Sequence, residues 1–359
     1  MSNRVLVIAE AGVNHNGSVQ IAERLIDVAA ASGADVVKFQ TFRADKLATS
    51  RAPKADYQRS ATSDSQTQQD MLAALELSYE AHIHLAKHCE KAGIAFMSTA
   101  FDEESLAMLS KVAMPAIKVP SGDVTHAPLL LEVARLKRPI LLSTGMCTLS
   151  DVENALGLIA FGLGNENAIP SGRDECVEAY ASEAGQQLLR THVTLLHCVT
   201  DYPASVQTVN LRAMQTLGSA FGLPVGYSDH TTGIEVALAA VALGATVIEK
   251  HFTLDTAMPG PDHAASLDPD GLRALVVGIR AVSSALGSGR KCPTVAERAN
   301  RIVARRSIVA RRSIKRGERF ALENLACKRP GDGRDPIEIW DLLGRTAERD
   351  YAEDEAIES

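Results

Sequence analysis

Eight short runs rich in Val, Ile and Leu recur between Val5 and Glu249: Val5–Ala9, Val36–Gln40, Ile94–Ser98, Ala116–Val119, Ile140–Ser143, Val193–Cys198, Val225–Tyr227 and Thr246–Glu249. Stretches with helical spacing lie between them, among them Val19–Ala31, His82–Ala92, Leu129–Leu136 and Ile234–Leu243. Nearly continuous apolar strands that alternate with helices imply parallel strands, covered on both faces and joined by crossovers. Eight such units predict a (β/α)8 barrel. A doubly wound open sheet, the competing arrangement, would carry G-x-G-x-x-G after its first strand, and the segment here reads AEAGVNHNG.

A further helix is expected over Pro269–Leu286, after which the texture changes at GSGRKCPT (287–294), a turn-forming stretch suited to a linker. The chain thus divides into a barrel (1–286), a linker (287–301) and a small unit (302–359). This tail opens with Arg305, Arg306, Arg311, Arg312, Lys315 and Arg316, with no acid among them and Ser307–Ala310 reading as a short strand. Such a run is ordinarily a solvated face, and holding an anionic substrate is the alternative. Two long connections, Arg43–Gln69 and Gly162–Arg190, are expected as lid or interface loops, the second equally as a plain surface insertion.

The formal charge of −7 and an aromatic content of 4% argue against nucleic acid as a partner. The longest apolar stretch, Val236–Ile248, is broken by Gly244 and Thr246 and falls short of the roughly 20 residues that span a bilayer. The opening MSNRVLVIAEAG has too short an apolar run for a secretory signal and leads straight into a strand, so a cytoplasmic protein is expected. Six cysteines without a C-x-x-C pair predict reduced, mostly buried thiols rather than zinc sites or disulfides.

In such a barrel the chemistry sits where strands end. Every predicted strand ends in polar residues: Glu10 with Asn14 and His15; Lys38 and Gln40; Thr99; Lys118, Ser121 and Asp123; Ser143–Thr144–Gly145; His197, Asp201 and Tyr202; Asp229 and His230; and Glu249–Lys250–His251, followed by PGPDH (259–263). Lysines inside apolar runs are costly to bury unpaired, so Lys38 and Lys118 point to a phosphate or carboxylate ligand, or to ion pairs with Glu10 or Glu249. Ser121, Gly122 and the Ser143–Gly145 turn would add hydroxyl and N–H donors. His230 and His251 end adjacent strands and could share a divalent ion, or act as hydrogen-bonding and acid–base groups. With Glu10, Asp229 and Asp262 nearby, Mn²⁺ ranks first, and Mg²⁺ or Co²⁺ are the alternatives.

The same residues resemble the bacterial sialic acid synthase family, which condenses phosphoenolpyruvate with N-acetylated mannosamine-type sugars. The likeness spans the chain: IAEAGVNHNGS (8–18), VVKFQTFRADKL (36–47), APKADYQ (52–58), KVPSGD (118–123), LLSTGM (141–146), LLHCVTDYP (195–203), GYSDHTTG (226–233), IEKHFTLD (248–255), PGPDHAASL (259–267) and KRPGDG (328–333). The resemblance implies a TIM barrel with a C-terminal antifreeze-like (SAF) domain, in a swapped homodimer whose small domains cover the partner's active site. It assigns the metal to His230 and His251, and phosphoenolpyruvate to Lys38, Thr99, Lys118, Ser121 and Ser143. It places the acceptor sugar against Glu10, Tyr202, Glu249 and Asp262, with Arg329 from the other subunit; Gln40 at the end of strand two is a further candidate for the sugar, and the chemistry makes Glu10 and Glu249 the candidates for proton transfer. The expected activity is N-acetylneuraminate synthesis from N-acetylmannosamine with C–O cleavage of phosphate. The alternatives are legionaminate synthesis from 2,4-diacetamido-2,4,6-trideoxymannose and, less favoured, pseudaminate synthesis.

Three positions depart from the family's usual pattern: Ala100 stands where proline is common, and Asp123 and Asp201 where glutamate is. The segment 162–190 is also longer than usual. Two readings from other classes are weaker. A non-catalytic carbohydrate- or ice-binding protein has no need of Lys38, His230 and His251 together, and a lyase that does not use phosphoenolpyruvate has no need of two anion-holding lysines.

Overall fold

The computed structural model describes residues 4–55 and 67–358, so Asp56, Tyr57 and Gln58 of the APKADYQ stretch lie outside the described residues. The chain forms two compact units, one ending at Gly287 and the other beginning at Ser288.

In the first unit eight parallel strands close into a barrel in chain order: β1 (Leu6–Gly12), β2 (Val36–Thr41), β3 (Ala95–Ala100), β4 (Ile117–Val119), β5 (Ile140–Ser143), β6 (Val193–Cys198), β7 (Val225–Asp229) and β8 (Val247–His251). β8 returns to pair with β1, which leaves no exposed edge. The strands are buried nearly throughout, as their unbroken apolar runs require of a sheet covered by helices. The covering helices are amphipathic. Over Val19–Ala31, Ala22, Leu25, Ile26 and Ala29 face the sheet, and the Ser18 hydroxyl caps the start by accepting the Ile21 N–H. The helix Pro269–Leu286 has the bounds expected of it and is capped by Asp268.

The segment 162–190 departs from the expected loop. It holds two helices, Arg173–Ala181 and the start of Glu183–His192, and Cys176 packs directly over Gly157, where a Cβ would lie 2.8 Å from the Cys176 carbonyl oxygen. It is part of the crossover between β5 and β6. The segment 43–69 carries the helix Ala44–Leu47 and the start of another, Gln68–Ala73, which Thr67 and Asp70 cap reciprocally.

The second unit pairs β9 (Ser307–Ala310) with β10 (Leu325–Lys328) antiparallel over a small core that includes Ile308, Ile314, Phe320, Leu325 and Tyr351. Residues 295–301 of the expected linker are helical, belonging to Val295–Ala304. In the basic run, Arg312 pairs with Glu318 at 2.6 Å and Lys315 with Asp350 at 3.0 Å, as on a solvated face. All six cysteines are free: Cys89 and Cys198 are buried, Cys292 is exposed and the others are half-buried. Among the described residues no helix is long and apolar enough to cross a membrane.

Candidate active site at the barrel mouth

Register decides which strand-end residues meet. Glu10 stands level with Lys38 of β2 and His251 of β8, Gln40 with Thr99, and Thr99 with Lys118. On β8, Glu249 and His251 are two residues apart and share the inner face, while Lys250 points outward. A bulge between Glu10 and Gly12 shapes the end of β1. Gly12 is left-handed there (φ +53°), and a Cβ would sit 3.4 Å from Gln40, Glu10 and His251 at once.

These residues line one cavity of about 350 Å³ at the C-terminal end of the strands. All twelve candidates from the barrel contribute to it: Glu10, Lys38, Gln40, Thr99, Lys118, Ser121, Ser143, Tyr202, His230, Glu249, His251 and Asp262. Arg329 belongs to the second unit, where it is exposed and its Nε donates to the Ala304 carbonyl.

Two lysines and two glutamates form the buried centre. Lys38 Nζ lies 2.7 Å from Glu10, 3.6 Å from Glu249 and 2.9 Å from the Thr99 hydroxyl. Lys118 Nζ donates to the Ser143 hydroxyl at 2.8 Å and lies 3.7 Å from Glu249. The ion-pair alternative for both lysines is therefore realised, on side chains that also face the cavity. The two carboxyls are driven apart: burial, reinforced by Glu249, raises Glu10, whereas Lys118 and Lys38 overcome burial and hold Glu249 low. The Ser228 hydroxyl donates to Glu249 at 2.9 Å. Around the turn after β5, Ser121 Oγ accepts the Gly145 N–H at 2.9 Å, and a Cβ on Gly145 would collide with Ser121, Cys198 and Thr200.

The Tyr202 ring lies 4.2 Å from the His230 ring, tilted by 33°, and the His230 centroid is 5.6 Å from that of His251. His230 Nδ1 donates to the Val199 carbonyl at 2.6 Å, so Nε2 keeps its lone pair. His251 Nδ1 is buried with no hydrogen-bond partner, 3.9 Å from Asp262. Burial lowers both histidines, so the imidazoles are neutral, and it pushes Asp262 up to about 6. Two neutral ring nitrogens, one of them an orphan, fit a divalent ion. Among the described residues no three His, Cys, Asp or Glu side chains converge on one point, so these two would leave coordination positions open.

Other strand-end residues turn away. Asp229, expected near the metal, instead pairs with Lys250 at 2.7 Å behind the sheet and accepts the Thr231 N–H and hydroxyl. Asn14 donates to Phe252 O and Ser266 Oγ, and a ring nitrogen of His197 bonds the Val209 carbonyl. Asp201 is exposed and accepts the Tyr202 N–H, whereas Asp123 is largely buried and raised to about 6 by burial, against the pull of His126. Sequence reasoning missed Ser228, Cys198 and an apolar wall that includes Phe42, Met71, Leu72, Leu75 and Phe101. Ser228 had a signal: it is two residues before His230 in the same strand-end motif.

A family model described as "NeuB family" matches residues 25–291, and one for the SAF domain matches 305–358. The N,N'-diacetyllegionaminic acid synthase of Campylobacter jejuni is 45% identical over 354 residues, 99% of each chain. Its namesake from Legionella pneumophila is 46% identical over 338 residues, covering 94% of this chain and 89% of its own. Among solved structures, the N-acetylneuraminic acid (sialic acid) synthetase of Leptospira borgpetersenii, in complex with citrate, superposes with a TM-score of 0.67. It is 30% identical and covers 83% of this chain and 90% of its own.

Proposed function

The chain belongs to the NeuB family of phosphoenolpyruvate-dependent nonulosonic acid synthases, and on that premise we propose that it makes N,N'-diacetyllegionaminate from 2,4-diacetamido-2,4,6-trideoxymannose. The observation that carries this choice of acceptor is near-full-length identity of 45% and 46% to two synthases of that name. It reverses the order expected from sequence, where N-acetylmannosamine came first. The N-acetylmannosamine reading keeps the support of the 30% identical Leptospira structure.

In this reading the Lys38 and Lys118 ammonium groups, with the hydroxyls of Thr99, Ser121 and Ser143, hold the phosphate and carboxylate of phosphoenolpyruvate. C3 of phosphoenolpyruvate attacks the aldehyde carbon of the open-chain sugar, water adds at C2, and phosphate leaves with its bridging oxygen as the C2–O bond breaks. Glu10 and Glu249 flank this centre and divide the proton transfers, Glu10 serving the incoming water. Gln40, Tyr202 and Asp262 orient the sugar. His230 and His251 would hold Mn²⁺, or alternatively Mg²⁺ or Co²⁺. Such an ion supplies electrostatic stabilisation of negative charge on the aldehyde oxygen.

The proposal extends to a domain-swapped homodimer in which the partner subunit's Arg329 reaches the acceptor's N-acetyl group, and to a cytoplasmic location, where six free thiols stay reduced. Phosphate release is measured with phosphoenolpyruvate, Mn²⁺ and each sugar. We expect kcat/KM at least about tenfold higher for the diacetamido sugar than for N-acetylmannosamine. The reverse order would overturn the choice of acceptor, and no release with any nonulosonate precursor would overturn the synthase roles assigned to these residues.

A further inference from the structure

The cavity has two characters. Its floor is the four-charge centre, but one wall, above the ends of β1 to β3, is mostly apolar: Val13, Phe42, Met71, Leu72, Leu75 and Phe101 line it, with the half-buried Gln68 from the same helix as Met71 and Leu72. The six apolar side chains carry only carbon and sulfur beyond the backbone. They pack as a cluster separate from the barrel core, with the Phe42 and Phe101 rings edge to face at 6.2 Å. Val13, Phe42, Met71 and Leu75 are buried, whereas Leu72 and Phe101 are half-buried.

Resting on the function proposed above, we propose that this wall seats the C6 end of the acceptor and selects a methyl there over a hydroxymethyl. The aldehyde end must lie over the charged centre, where phosphoenolpyruvate and the two histidines converge. An extended open-chain hexose therefore directs its other end away from that centre, and the wall is the apolar surface continuous with it. A C6 hydroxyl pressed on the six apolar side chains would give up water and find no partner among them, whereas a methyl gains dispersion contacts and loses nothing. A pocket of this kind discriminates by about 10- to 100-fold and no more, since an apolar wall cannot strongly reject a group that only adds a hydroxyl. Specificity is thus divided: polar residues recognise the acetamido and hydroxyl groups, and the wall reads the deoxygenated end.

The test compares two sugars that differ only at C6, N-acetylmannosamine and 2-acetamido-2,6-dideoxymannose. Both are assayed on the full-length enzyme with phosphoenolpyruvate and Mn²⁺. The wild type should prefer the 6-deoxy sugar at least about tenfold in kcat/KM, through KM. Leu72→Gln, at a half-buried site that tolerates a polar head, should bring the ratio to near one, and Leu72→Met should restore it. Phe101→Tyr is the second variant, should Leu72→Gln fail to fold. Calorimetric binding of phosphoenolpyruvate reports whether each variant is intact. A wild-type ratio near one, or a ratio unmoved by either polar variant in an intact enzyme, would overturn the inference. If neither sugar turns over, calorimetric affinities for the two sugars rank methyl against hydroxymethyl and decide the inference, while phosphate release with the diacetamido sugar decides the function proposed above.

Discussion

β8 carries two buried charge clusters on its opposite faces. Toward the cavity, Glu249 meets Lys38 and Lys118 at 3.6–3.7 Å, longer than good hydrogen bonds, with His251 Nδ1 unpartnered beside it. Toward the covering helices, Lys250 donates to Asp229 at 2.7 Å and to the Thr231 carbonyl at 2.6 Å, and Asp229 fills its remaining capacity with Thr231. Both clusters are nearly solvent-free. The outer one is closed and short, as a structural pair must be. The inner one closes a single short ion pair, Lys38–Glu10 at 2.7 Å, keeps Glu249 at 3.6 Å or more from both lysines and opens on a cavity, which suits the anion site proposed above. Burial and charge do not tell the two apart; completeness of pairing does.

Breaking the outer pair should produce the largest change. Lys250→Met leaves Asp229 uncompensated and should cost about 3–5 kcal/mol in denaturant unfolding, while Asp229→Asn/Lys250→Met recovers most of it. Equal stability of the single and double variants would erase the distinction. On the inner face, Glu10→Gln should lower kcat by about 10²- to 10⁴-fold, with a smaller loss of Tm than Lys250→Met because Lys38 keeps Glu249 at 3.6 Å. Near-normal kcat would remove Glu10 from the proton transfers.

Asp123 sharpens the contrast from a third position. A carboxyl raised to about 6 by burial binds its proton more tightly folded than unfolded, so it costs stability above pH 6, and that cost fades as pH falls. Asp123→Asn should therefore stabilise by up to about 2 kcal/mol at pH 7.5, with a smaller gain at pH 5, read as Tm against pH. An equal gain at both values would contradict burial as the cause. Smallest of all, Arg312→Ala breaks only the exposed pair with Glu318 in the second unit and should leave Tm unmoved.

Much of this was legible in the sequence. The barrel followed from apolar strands alternating with helices, and β5 and β6 begin and end at the residues expected. The twelve cavity candidates were found because chemistry-bearing side chains stand at strand ends, where a barrel gathers them. Asp229 was misplaced because a position one residue off in the alternation flips a side chain to the other face, and register is visible only once strands pair. The apolar wall was missed because its members are ordinary hydrophobic residues from two strand ends, the turn after β1, a short helix and the turn that follows it, without any shared period. The helix inside the expected linker had a readable start, Thr294-x-x-Glu297, but the glycines and proline before it dominated the reading.

If the inner cluster is an anion site and the outer one a brace, phosphoenolpyruvate binding depends on the first and not on the second. Calorimetric titration of phosphoenolpyruvate, with Mn²⁺ present, into the wild type, Lys118→Met and Asp229→Asn/Lys250→Met tests this directly. We expect binding to the wild type, similar affinity in the double variant, and at least about tenfold weaker binding in Lys118→Met. Equal binding in all three proteins, or loss only in the double variant, would contradict it.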